Sequence, residues 1–307
     1  MRQPYDLRLL GARGMDKVRC GAAGALPCPA RAGLQVEAND MHIVVCAKQI
    51  PDPETPPSAF RIDAATNRVV PAQGIAPVLS QFDGIAAEAA LRIKEANAGS
   101  KVTVISLGAG SAAAAIKQVL AMGADEGLLL NDPAFEDGDS YTTAKTLATA
   151  IKKLGDVDAV FCGRQAADWD MGQVGLLIAE ELGWPVSIIA KSVTMGGGGL
   201  TIQRVVDDGF QNVDMPLPAV VTVSNEFGEP RYPKLPQIMA AAKKTVTQWK
   251  TDDLGLSPSE VGAAGSRLKL ETLATPVRNS KVELMEGDTP AAQADALVAK
   301  LRADHLI

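Results

Sequence analysis

From Met41 onward, short apolar runs alternate with longer stretches of helical period. "HIVVCAK" (42–48) is a continuous apolar run of strand length. "GIAAEAALRIKEAN" (84–97) sets Ile85, Ala89, Ala90 and Ile93 on one side and Arg92, Lys94 and Glu95 on the other, which predicts an amphipathic helix. "KVTVISLG" (101–108) predicts a second strand. "SAAAAIKQVLAMG" (111–123) predicts a helix with Ser111 as N-cap and Gly123 as its stop. "EGLLLND" (126–132) predicts a third strand, and "SYTTAKTLATAIKKLG" (140–155) a helix ended by Gly155. "DAVFCG" (158–163), "MGQVGLLIAEELG" (171–183) and "VSIIAKSV" (186–193) predict a fourth strand, a helix and a fifth strand. Strands separated by helices of this length imply right-handed crossovers and a parallel sheet covered on both faces.

The rhythm changes after Ser192. "GGGGLTIQRVVDDGFQNVDMPLPAVVTVS" (196–224) predicts strands joined by turns, with the four Gly as a turn rather than a phosphate cradle, because no helix follows them. "EPRYPKLPQI" (229–238) is a Pro-rich extended piece, followed by "MAAAKKTVTQWK" (239–250). Beyond Lys250 dense periodicity is lost until "TPAAQADALVAKLRADHLI" (289–307). That stretch predicts a helix with Pro290 in its first turn and Ala294, Leu297, Val298 and Leu301 as a stripe. The expected organisation is a nucleotide-binding α/β domain over 41–250 and an extended arm over 251–307 whose helix docks on a partner. Residues 1–40 show neither period. Either translation starts at Met41, or this Arg-containing stretch is a targeting segment. Its low Ser content and lack of an amphipathic stripe favour the first reading.

Composition narrows the function. Scarce aromatics and abundant Gly suit an Ala- and Val-packed α/β protein. A net charge of −6 argues against nucleic acid as the main partner. No apolar run reaches the roughly 18 residues of a membrane span. Cys20, Cys28, Cys46 and Cys162 lack metal-ligand spacing; Cys46 and Cys162 each end a predicted buried strand and read as buried free thiols. Two His, at 42 and 305, leave no His-based catalytic or metal cluster.

Two loops carry candidate chemistry. "LGAGSAA" (107–113) fits G-x-G-x-x-A between a strand and a helix, with Asp132 at the end of the next strand. It lies on the second strand, and a tight turn beside a nucleotide is the favoured reading over a full dinucleotide site. "GRQAADWDMGQVG" (163–175) leaves the fourth strand at its carboxyl end, where open parallel sheets bind ligands. Gly163, Gly172 and Gly175 would let backbone N–H groups approach an anion, Arg164 would add charge, and Asp168 and Asp170 could accept hydrogen bonds or cap the helix. There is no P-loop and no nucleophile elbow. The first strand also lacks the S-G-G-x-D-S loop of ATP-cleaving relatives, so chemistry by the protein's own side chains is poorly supported.

With these loops in view, the chain from Met41 onward resembles the β (small) subunit of electron transfer flavoproteins. "VVCAKQIPD" (44–52) resembles that family's opening strand and loop, and "GRQAADWDMGQVG" its nucleotide loop. "IQRVVDDGFQNVDMPLPAVVT" (202–222) resembles the family signature, filled by Arg204, Asp207, Asp208, Gly209, Gln211, Pro218 and Thr222. "EPRYPKLPQIMAAAKK" (229–244) resembles the E-P-R-Y segment and the helix that follows.

The resemblance implies a doubly wound, mostly parallel sheet of the adenine-nucleotide hydrolase-like type, strand order 3-2-1-4-5, with an added β-rich part. It implies an αβ heterodimer, cytoplasmic in bacteria or in the mitochondrial matrix of eukaryotes. Such a dimer carries electrons from flavin dehydrogenases, such as acyl-CoA dehydrogenases, to a downstream quinone-linked oxidoreductase. FAD would be shared with the α subunit. AMP, or a second FAD in electron-bifurcating members, would lie in this chain. Matching positions put those contacts on Cys46, Ala47, Ser80, Gln81, Phe82, Asp83 and Leu107. They continue over the loop Gly163, Arg164, Gln165, Ala166, Ala167, Asp168, Trp169, Asp170, Met171, Gly172, Gln173 and Val174, with Phe82 approaching the FAD ring. Ser224, Asn225, Glu226, Phe227, Gly228, Glu229, Pro230, Arg231 and Tyr232 match the segment that recognises dehydrogenases, with Phe227 as an exposed apolar anchor. "LSQFDG" lacks the usual Asn-Pro, and Trp169 stands where the family carries a smaller or acidic residue. Asp83 and "KQIPD" look more like the bifurcating branch. A monomeric nucleotide-binding module of the stress-protein type is the alternative; the arm after Lys250 counts against it.

Overall fold

The computed structural model describes residues 40–276 and 281–307; the readings made for residues 1–39, including Cys20 and Cys28, lie outside them. In chain order the elements begin with β1 (His42–Cys46), β2 (Gln49–Ile50), β3 (Arg61–Asp63), β4 (Arg68–Val70), β5 (Val78–Leu79) and α1 (Gln81–Ala96). Then come β6 (Lys101–Leu107), α2 (Ala113–Met122), β7 (Glu126–Leu130), α3 (Ser140–Leu154), β8 (Ala159–Gly163) and α4 (Val174–Leu182). The hairpin strands β9 (Val186–Gly196), β10 (Gly199–Val206) and β11 (Gly209–Pro216) precede β12 (Ala219–Val223). The chain closes with α5 (Leu235–Lys243), β13 (Val246–Trp249), α6 (Thr251–Leu254), α7 (Gly262–Gly265) and α8 (Pro290–Ala303).

The main sheet has nine strands in the order β11-β10-β9-β12-β8-β1-β6-β7-β13. The seven strands β9-β12-β8-β1-β6-β7-β13 pair in parallel, while β10 and β11 add antiparallel strands beyond β9 at the other edge. Helices cover both faces. One core joins α1, α2 and Ala241 of α5 to Ile43, Val45, Val104 and Phe161. The other joins α3 and α4 to Val44, Ile105, Val160 and Val220. Alternate residues of β1 thus feed opposite cores, as strand pleating requires.

The expected 3-2-1-4 order is present as β7-β6-β1-β8, but fifth place belongs to β12, not to β9. Strand β12 is buried throughout and apolar but for Thr222, whose hydroxyl accepts from Ile189 N, a sequence suited to a central place. The edge strand β13, which periodicity does not announce, pairs with β7. Ser111 is not an N-cap: it lies in a 3-10 turn (Gly110–Ala112), and its hydroxyl donates to Gln49 Oε1 at 2.8 Å. Gly123 and Gly155 end their helices at positive φ, as expected.

Contacts divide the chain into two units. The first runs to Arg61 and resumes over Val69–Leu270; Thr251, Leu254 and Val261 are buried within it. The second comprises Ile62–Arg68 and Glu271–Ile307. Within that second unit, Asn67 Nδ2 donates to Glu271 O at 2.9 Å and Leu273 N donates to Asn67 Oδ1 at 3.1 Å. Among the described residues no helix is long and apolar enough to cross a membrane.

Candidate functional site

Strand β1 leads through α1 to β6 on one side, whereas α3 leads to β8 on the other. The loops after β1 and β8 therefore diverge, and a crevice opens between their carboxyl ends. Three sequence segments meet there: Cys46 to Lys48, Ser80 to Asp83 at the start of α1, and the loop from Gly163 to Val174.

Asp83 joins both walls. Its Oδ2 accepts from Lys48 N at 2.8 Å and its Oδ1 from Gly163 N at 3.0 Å. The carboxylate is buried, and burial pushes its pKa up to about 7 against the pull of those two N–H groups and the Lys48 ammonium. Above it, Lys48 Nζ donates to Asp168 Oδ2 at 2.7 Å. Lys48 escaped the sequence reading; a lone Lys just past a buried strand was the available signal.

The Gly163 loop is folded on itself. Gln165 Nε2 donates to Asp170 Oδ1 at 2.9 Å, and Asp170 N donates to Ala166 O at 2.9 Å with Asp170 at φ 50°. Neither aspartate caps α4, whose N-cap, Gln173, makes no side-chain cap bond. Arg164 holds Val223 O through its backbone N–H (2.9 Å), and its guanidinium lies 5.8 Å from the Phe82 ring centroid. The close approaches at two glycines are to the protein itself. A Cβ on Gly175 would lie 2.6 Å from Thr222 Cγ2, and one on Gly163 would meet Asp83 and Phe82. Gly172 adopts φ 61°. Trp169 (51% exposed) and Met171 project from the loop.

Ser80 is wholly buried at the head of α1, and its hydroxyl finds no partner among the described residues. Cys46 and Cys162, on neighbouring strands, are buried free thiols; hydrogen bonding to Cys46 and burial hold the Cys162 thiol well above its ordinary pKa. Leu107 ends β6, one strand from β1, beside the G-x-G turn. That turn is closed by Gln49, whose Nε2 donates to Ser111 O at 3.0 Å. Asp132 serves the fold rather than a ribose: it accepts from Ala134 N (2.9 Å) and from Thr251 Oγ1 (2.8 Å). Among the described residues no cluster of three His, Cys, Asp or Glu side chains could hold a metal.

The segment from Ser224 to Tyr232 leaves β12 and runs over α1. Ser224 is buried, and its N–H donates to Ala190 O at 3.0 Å. Arg231 Nε donates to Glu88 Oε2 at 2.6 Å, and its other nitrogens reach Glu95. Asn225, Glu226, Gly228 and Glu229 are exposed, Pro230 is half-buried, and Tyr232 is 97% exposed. Phe227 differs from expectation. It is half-buried, packs on the core and lies under Arg92, whose guanidinium is 4.8 Å from the ring centroid. Its ring fills the gap between α1 and the loop, so the exposed aromatic of this segment is Tyr232.

A doubly wound, mostly parallel α/β sheet with helices on both faces defines a broad class of folds. Comparison narrows it. The electron transfer flavoprotein domain matches residues 68–254. The chain is 39% identical to electron transfer flavoprotein subunit beta of Thermoanaerobacterium thermosaccharolyticum over 268 residues, 87% of this chain and 100% of that protein. It is 37% identical to the caffeyl-CoA reductase-Etf complex subunit CarD of Acetobacterium woodii over 267 residues, with the same coverage. It is 31% identical to the acryloyl-CoA reductase electron transfer subunit gamma of Anaerotignum propionicum over 274 residues, 87% of this chain and all of that one. The chain belongs to the electron transfer flavoprotein family, as a β-type subunit acting in electron transfer.

Proposed function

We propose that this chain pairs with an α subunit to carry electrons from flavin dehydrogenases, acyl-CoA dehydrogenases among them, to a downstream oxidoreductase, and that its crevice holds AMP. The observation that carries the nucleotide is the junction of β1, α1 and β8. It lies at a switch point, and a buried Ser80 hydroxyl there has no partner among the described residues. The residues fit the group. The partly exposed loop from Gly163 to Val174, with the charge of Arg164 on it, suits a phosphate. An FAD shared with the α subunit would supply the redox chemistry. This chain's part is to bind, orient and shield: Phe82 at the head of α1 offers an aromatic face near that shared site. The segment Ser224–Tyr232 would meet the dehydrogenase, with Tyr232 as its exposed aromatic anchor in place of Phe227.

A second reading keeps the same crevice and puts a second FAD in it. It is favoured by the two relatives named for CoA-reductase complexes and by Asp83 after Phe82. Co-expression with the α subunit, acid release and quantitation of flavin and AMP decide between them. One FAD and one AMP per αβ dimer is expected. Two FAD and no AMP moves the protein to the second reading, and no FAD at all overturns both.

A further inference from the structure

We propose that Asp83 is a positioning residue: its carboxylate staples the loop after β1 to the loop after β8 and so fixes the spacing of the two crevice walls. The staple is a matter of geometry. One oxygen accepts from Lys48 N at 2.8 Å and the other from Gly163 N at 3.0 Å, the first just past the end of β1 and the second at the end of β8. Strand pairing between β1 and β8 is recorded from Ile43–Ala159 to Val45–Phe161, so the loops beyond it have no ladder bonds to hold them together. Helix α1 makes the staple rigid, since Asp83 N and Gly84 N both donate to Ser80 O at 3.0 Å and Ser80 N donates to Lys48 O at 2.9 Å. Ionised, the carboxylate offers both oxygens to the two N–H groups; protonated, it escapes the cost of a buried charge.

The staple therefore depends on pH. Burial brings the Asp83 titration to about 7, within the physiological range. The groups facing it are few. The Lys48 ammonium, after β1, favours the charged form, and Asp168, after β8, opposes it. Cys162 of β8 stays neutral, because hydrogen bonding to Cys46 and burial hold its thiol well above the ordinary range. Arg164 reaches the site through the Phe82 ring. A solvent-opened Asp83 would titrate near its ordinary 3.8, so the closed crevice binds the proton more tightly, and the staple weakens as the pH rises through 7.

Two measurements on the full-length chain test this. Hydrogen exchange of the Lys48 and Gly163 amides, corrected for intrinsic rate, should gain about tenfold in protection between pH 8 and pH 6, the effect of one proton that the closed form binds at about 7 and the open form does not. Amides of β9 and β10 should not change. In Asp83→Asn the two amides should exchange fast with no pH step, and in Asp168→Asn the step should remain and move to lower pH. Titration with AMP, the only arm that rests on the proposed function, should show affinity rising about tenfold over the same range in the unaltered chain and staying level in Asp83→Asn. Flat protection of both amides in the unaltered chain overturns the staple, whether or not Asp83→Asn folds. An intact amide step with no AMP binding at any pH leaves the staple standing and removes AMP from the crevice. AMP binding with a pH step unchanged in Asp83→Asn removes Asp83 from control of the crevice.

Discussion

A Cβ on Gly163 would lie 2.6 Å from Asp83 Oδ1, 2.7 Å from Phe82 Cβ and 2.8 Å from Phe82 C. Two of these three atoms cannot swing away: one is backbone, and the other is the first atom of a side chain in the opening turn of α1. Gly163→Ala must therefore push the helix start off the strand end. Overpacking of this kind costs about 2 kcal/mol, and here it also moves the oxygen that accepts from Gly163 N. A lowered Tm together with weakened AMP binding is the expected outcome. An alanine variant with unchanged Tm would mean that α1 is free to shift. Glycine in a strand-end loop looks, from sequence, like room for a ligand. At Gly163 and Gly175 the space is filled by Phe82, Asp83 and Thr222, and only the coordinates can say whose atoms come close.

Helix α1 serves two places at once. Its first turn carries Phe82 and Asp83 into the crevice. Along its length, Glu88 and Glu95 hold Arg231, and Arg92 covers Phe227 while its Nε donates to Glu88 Oε1 at 2.8 Å. Burial pushes the Glu88 carboxyl up, but the hydrogen bonds from Arg231 and Arg92 outweigh it and leave it below its ordinary 4.5. A depressed carboxyl contributes stability that is complete above its unfolded value and is lost as the pH falls through the folded one. Arg231→Ala leaves buried Glu88 short of a partner and should cost about 2 kcal/mol at pH 7. The loss relative to the unaltered protein should shrink below about pH 4.5, where the unfolded chain takes up the proton. Amide exchange over residues 224–232 should rise at pH 7 in the same variant, which thermal melts at both pH values would complement. Hydrophobic rhythm announced α1 and most of the other helices and central strands, because each carries a full period of buried positions. Neighbour relations were not in that rhythm. The four residues of β13 are too few to show alternation. The place of β12 beside β8 follows from its return across the sheet after the β9–β11 excursion, which no local pattern encodes.

At the scale of the molecule, the chain divides between a sheet that buries its apolar side chains and a terminal segment that does not. Val282 (87% exposed), Leu284 (83% exposed), Leu297, Val298, Leu306 and Ile307 all belong to the second unit, and α8 has no buried residue. Its N-cap is sound, since Thr289 Oγ1 accepts from Ala292 N at 3.2 Å and Pro290 opens the first turn. A well-capped helix with an uncovered stripe gains from burial against something else, at roughly 1.5–3 kcal/mol for each large side chain covered. On the proposed function that surface is the α subunit. Ending the chain after Pro276 keeps the bonds from Asn67 to Glu271 and Leu273 and leaves both cores of the first unit whole. The shortened chain should then melt within about 3 °C of the full one, since a loss below 1 kcal/mol shifts Tm by only a few degrees in a domain of this size. It should fail to co-purify with the α subunit. A shortened chain that melts far lower would make the arm part of this protein's own fold, and one that still pairs at full strength would place the subunit interface on the sheet domain instead.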